Sequence, residues 1–138
     1  MPNTGKAKLL LALPVAIVTG ILNVFCFFLF MVLYSYGIDS GHDEVYYNEA
    51  ANRFGPISSI ICGMPLMYLA GRWIGKRVGS QLAITAAVLV WTVYAILDFG
   101  VVAASGVLVS VLPLFAISFT TKFAAAYLGA RRSQQAAT

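Results

Sequence analysis

Residues 81–129, QLAITAAVLVWTVYAILDFGVVAASGVLVSVLPLFAISFTTKFAAAYLG, decide the fold, because 49 consecutive residues carry only two charges, Asp98 and Lys122. A bilayer core of ~30 Å is crossed by about 20 apolar residues in a helix. The stretch is therefore too long for one crossing and right for two. Turn signals at Asp98-Phe99-Gly100 and Ser105-Gly106 place the break near residues 100–106. A third helix is expected over about 81–101 and a fourth over about 106–129, followed by a polar tail, 130–138, that begins with Arg131 and Arg132.

Working outward, a second apolar run covers about 54–74 and closes on Arg72, Lys76 and Arg77. Gly63 and Pro65 near its middle predict a bend or a local break. The first run covers about 9–36 after Lys6 and Lys8. It begins like a secretory leader, but a leader's apolar core is only about 7–15 residues and ends at a small-residue cleavage site. The expectation is a first membrane helix that stays attached, with Pro14 near its start either tolerated or giving a mild kink. Between these runs lies the one substantial polar segment, 37–53, GIDSGHDEVYYNEAANR. Ser40 followed by Asp43 is a weak capping signal, and a short helix over about 42–52 on the outer membrane surface would follow from it.

Composition agrees. The 138-residue chain is 60% hydrophobic and 10% charged, where a soluble domain averages about 25% charged, and its mean hydropathy is +0.85. The net charge of +4 does not point to nucleic acid, because the basic residues stand at the ends of apolar runs, where topology and anionic lipid account for them. Lys6, Lys8, Arg72, Lys76, Arg77, Lys122, Arg131 and Arg132 all fall on one side of a four-span arrangement, and Arg53 alone falls on the other. Lys and Arg are retained on the cytoplasmic side in short loops. The sequence thus predicts an all-α membrane protein, a single domain over 1–138. It is a four-transmembrane-helix bundle, N-in/C-in, with a short outer-side interfacial helix or loop between helices 1 and 2. The expected location is the bacterial inner (cytoplasmic) membrane.

Few residues carry candidate chemistry. Asn23 lies near mid-membrane and shares a helix face with Thr19 and Cys26. An amide in hydrocarbon is costly unless hydrogen-bonded, so this face should point into the bundle, for packing or for a ligand or ion. Asp98 is the only acid inside an apolar run, ~25 Å along its helix from Gln81. That depth reads as an acid at the outer boundary or as a proton or cation site. Trp91 and Tyr94 precede it on the same face. Lys122 is expected to snorkel to the cytoplasmic interface, and its depth argues against a direct bridge to Asp98. Cys26 and Cys62 lie at similar depths, where adjacent helices could bring them together; they read first as ordinary packed thiols and second as a redox pair. His42, Asp43, Glu44 and Glu49 are metal-ligand types without metal-site spacing. Gly71, Gly75 and Gly79 permit close helix approach or a tight loop. Ser58 and Ser59 have no base beside them, and no acid–base–nucleophile set can be assembled.

The sequence favours no enzyme, no metal and no cofactor. The expected partners are the lipid bilayer and either a second copy of the chain or another membrane protein. Two functions follow: an accessory, assembly or lipid-interacting membrane protein, slightly ahead, and an oligomeric transporter or channel subunit with Asn23, Trp91, Tyr94 and Asp98 along its route.

Overall fold

A computed structural model describes residues 4–106 and 108–136; the side chains of residues 4–6, Lys6 among them, and of 108 lie outside the described part, as do the last two residues of the tail. The described residues are helical almost throughout: α1 (Thr4–Leu9), α2 (Ala12–Leu33) with a π-helical turn at Tyr34–Ile38, α3 (Glu44–Val78), α4 (Ala83–Ala104) and α5 (Leu108–Gln135). Four helices are long and apolar enough to cross a membrane: 7–38, 44–78, 83–104 and 109–135.

Local chemistry sets the boundaries. Pro14 has no N–H to give the Leu10 carbonyl, and the chain turns just ahead of it, with Leu11 N and Leu13 N donating to Lys8 O and Leu10 O, both at 3.2 Å. This is why the first apolar run divides into α1 and α2. At the far end of α4, Gly106 takes φ 76°, a left-handed conformation that glycine adopts without steric cost. The expected break between the third and fourth helices falls at Ser105-Gly106.

Three expectations are corrected. The segment over 42–52 is no separate interfacial helix: it forms the first turns of α3, which continues from Glu44 to Val78. The N-cap is Asp43 rather than Ser40, and its carboxylate accepts from Tyr46 N at 3.0 Å. The middle of the second apolar run stays helical through Pro56 and Pro65. At 35 residues α3 is ~52 Å long, well beyond a ~30 Å apolar thickness, so its polar first turns have room outside that layer. Finally, α5 runs to Gln135 and α4 to Ala104, so residues placed near helix ends by the sequence lie deeper.

The most extensive packing is between α3 and α5, with α4 against both and α2 on α3 and α4. Small residues allow it. A Cβ on Gly71 would run into the Ala126 carbonyl, and one on Gly129 into the Tyr68 carbonyl. A Cβ on Gly75 would run into the Ser133 side-chain hydroxyl. Small residues that let backbones approach closely are the usual packing device of apolar helices in membranes. The core on this seam and beside it is Met67, Ile74, Ala86, Val90, Ala126 and Ala130.

Candidate functional site

Most hydroxyls along the apolar helices are satisfied within their own helix. Thr19, Thr92, Thr120 and Thr121 each donate to the carbonyl four residues back at 2.7–2.9 Å. Four other polar side chains cannot be served this way and converge instead at the centre of the bundle, one from each long helix: Asn23 (α2), Ser59 (α3), Tyr94 (α4) and Lys122 (α5).

Lys122 is fully buried. Its Nζ donates to Ser59 Oγ at 2.7 Å and to Tyr94 Oη at 2.8 Å, and lies 3.6 Å from Asp98 Oδ2. An ammonium has three N–H bonds, and three oxygens surround it. The nitrogen also sits 4.7 Å from the Tyr94 ring centroid, within cation–π range. Asn23 Nδ2 donates to the same two hydroxyls, to Tyr94 at 2.8 Å and Ser59 at 3.1 Å. Tyr94 Oη thereby accepts twice, and Asp98 lies one turn further along α4.

The Asp98–Lys122 ion pair overturns the expectation that Lys122 snorkels away from Asp98. The depth argument rested on helix ends that the structure moves. Lys122 lies at the middle of α5, and Asp98 lies six residues, ~9 Å, before the end of α4. Room for the lysine comes from Gly63: a Cβ there would collide with Lys122 Cε. Gly63, marked in the sequence as a point of bend or break in α3, makes space for a side chain of α5.

Of the residues singled out in the sequence, Asn23, Tyr94 and Asp98 are brought together. Trp91 is placed elsewhere: its Nε1 donates to Phe119 O at 3.1 Å, and its ring packs edge-on against Phe123 at 5.0 Å, tying α4 to α5. Ser59 and Lys122 are the members the sequence reading missed. A signal was present, since Lys122 falls on the face of α5 that also holds Ser118, Ala125, Ala126 and Gly129. In a membrane helix the small-residue face is the packed one.

Two cavities meet at Asp98. One of about 280 Å³ is lined by Asp98, Ser59 and Ser118 together with Asn52, in the third turn of α3, and Ser105, the C-cap of α4. The other, about 330 Å³, lies between α2 and α4 along Gly20, Asn23, Tyr94 and Asp98. Asp98 keeps 23% side-chain exposure while Lys122 has none. Among the described residues, the buried polar side-chain atoms without a hydrogen-bond partner are Asn23 Oδ1 and Ser118 Oγ. Each belongs to a residue lining one of these cavities.

The two cysteines are free thiols on neighbouring helices, with Cys26 close enough to interact with Cys62. Outside the apolar layer, Asp39 is the centre of a second cluster. Tyr34 Oη donates to its carboxylate at 3.0 Å, Tyr46 Oη donates to the same oxygen, and His42 Nε2 lies 2.9 Å from the other. These bonds, that from Tyr46 foremost, hold the Asp39 carboxyl below its usual 3.8. Asp43 and Glu44 serve the start of α3, and no group of three or more His, Cys, Asp or Glu among the described residues is arranged to hold a metal ion.

The chain matches no protein-family model, no curated protein and no solved structure.

Proposed function

We propose that this chain is one subunit of an oligomeric membrane transporter or channel that moves protons, or a solute coupled to them, through the Asp98–Lys122 site. The observation that carries the reading is a fully buried lysine paired with an acid where two cavities meet. A buried ion pair is a poor device for stability, because desolvating two charges offsets most of their attraction. Within membrane helices such residues are rare and mark ion or proton routes. Asp98 is the half that faces a cavity, so it exchanges protons first. Protonating it removes the counter-charge of Lys122 and frees the ammonium to pair with another anion or to pass its own proton on. Tyr94, Ser59 and Asn23 hold the lysine in place through this cycle.

In this reading both termini and the 72–80 turn are cytoplasmic in a bacterial inner membrane. Four helices leave little room for a route within one chain, so copies act together. The test is proton flux into liposomes carrying purified protein and an internal pH-sensitive dye, driven by a potassium diffusion potential. Wild type should acidify the lumen well above empty liposomes, and Asp98→Asn and Lys122→Met should each reduce that flux at least tenfold. Flux from wild type no greater than from empty liposomes, or unchanged in both variants, sinks the reading.

The accessory or assembly reading has one observation in its favour. Only Ala12, Ala16, Thr19 and Asn23 of α2 are buried, which leaves a broad apolar face able to receive a helix of another protein. Co-purification of one stoichiometric partner would favour it over a homo-oligomer.

A further inference from the structure

A further concavity lies away from the ion pair. It is a groove of about 810 Å³ between α2 and α3, separate from the two cavities that meet at Asp98. Its walls are aliphatic: Val15, Val18 and Leu22 from α2, Leu66 and Leu69 from α3. Along α2 it runs from Leu11 to Leu22, ~16 Å, and it spans a similar length along α3, from Leu66 to Lys76. That is about half of a ~30 Å hydrocarbon core, the depth of one leaflet.

One end of the groove differs from the rest. Arg72, Trp73 and Lys76 close it, all exposed, on the last turns of α3. They lie at the end of the bundle that also holds Arg77, whose guanidinium stacks on the Trp73 ring at 5.0 Å. An exposed indole at this level is the usual marker of the headgroup region. The groove thus has an apolar body one leaflet deep and a doubly cationic mouth at headgroup height. Neither a second apolar helix nor a neutral lipid makes use of the two cations, while an anionic phospholipid matches both parts. Basic pockets between membrane helices are known to take such headgroups.

We propose that the α2–α3 groove is a binding site for one anionic phospholipid, with its phosphate held by Arg72 and Lys76 and one acyl chain lying along Val15, Val18, Leu22, Leu66 and Leu69. The site does not depend on the Asp98–Lys122 pair or on its role.

Native mass spectrometry of the full chain in detergent, titrated with dioleoyl phosphatidylglycerol or dioleoyl phosphatidylcholine, tests this. Phosphatidylglycerol should saturate at one molecule per chain, and phosphatidylcholine should bind more weakly without a plateau. At about 1 kcal/mol per surface cation, the Arg72→Gln/Lys76→Gln variant should lose on the order of 20–30-fold in affinity for phosphatidylglycerol. Arg131→Gln/Arg132→Gln, which removes the same charge outside the groove, should leave affinity within about twofold. Val18→Trp, which fills the groove from an exposed position, should weaken both lipids. Equal, unsaturable binding of the two lipids by wild type overturns the proposal, as does an equal loss in the two charge variants or retained affinity in Val18→Trp.

Discussion

Lys122 is the residue on which stability and function pull apart. Removing one member of a buried pair leaves the other charge without its partner, which costs about 3–5 kcal/mol. Asp98 retains some exposure, so Lys122→Met should fall at the lower end, about 3 kcal/mol, in reversible unfolding in mixed micelles followed by circular dichroism. Lys122→Met/Asp98→Leu should recover most of that loss, because an apolar pair avoids the desolvation penalty altogether. If the double variant is as unstable as the sum of the singles, the pair is not coupled as described. The double variant should remain inactive in flux, which separates the site's chemistry from its contribution to folding. Asn23, Tyr94 and Asp98 were legible as candidates because a polar group in an apolar run has few alternatives to facing inward. Lys122 was not, since a long side chain can always be imagined reaching water. What holds it inside is Gly63 on another helix, and no local reading of α5 contains that information.

At the scale of elements, the clasp between α2 and α3 gives a pH dependence with a definite sign. Asp39 is held below its usual 3.8 by Tyr46, His42 and Tyr34. A carboxyl lowered on folding contributes stability that is fully present above its unfolded value, about 3.9, and is lost as pH falls through the lower folded value. The clasp should therefore loosen as pH falls below about 4. Hydrogen exchange over residues 34–47, corrected for intrinsic rates, should show less protection at pH 3 than at pH 6. Asp39→Asn should show reduced protection at both. Protection unchanged at pH 3 in wild type would falsify the clasp. The four long helices were plain in the sequence because lipid imposes a length and a composition, and the Ser105-Gly106 break was plain because glycine supplies the left-handed turn. The start of α3 is not legible in this way: polarity suggests the end of a helix, whereas backbone hydrogen bonding runs through the polar residues from Glu44 once Asp43 caps the first turn.

The whole molecule segregates its charge along the bundle. Asp39, Asp43, Glu44 and Glu49 gather where α2 meets α3, the end pinned by Phe54 against Phe30 and Tyr34 at 5.6 and 5.2 Å. Arg72, Lys76, Arg77, Arg131 and Arg132 gather at the opposite end, where Gln134 Nε2 donates to Ser80 O at 2.5 Å. In the proposed orientation, with basic residues retained inside, the acidic end would face outward, on the side of the cavity lined by Asn52 and Ser105. Single cysteines in a Cys26→Ala/Cys62→Ala background test orientation and route together. In intact cells an impermeant maleimide should label Ser40→Cys and Ser105→Cys, and should reach Ala136→Cys only after permeabilisation. A small cationic thiosulfonate added outside should also modify Ser118→Cys, because that side chain lines the cavity reaching Asp98. Labelling of Ala136→Cys in intact cells would reverse the orientation. Ser118→Cys inert from outside but modified from the cytoplasmic side would move the mouth of the route to the basic end. Ser118→Cys inert from both sides would leave Asp98 with no aqueous access on that face, and proton transfer would then have to pass through the cavity beside Asn23.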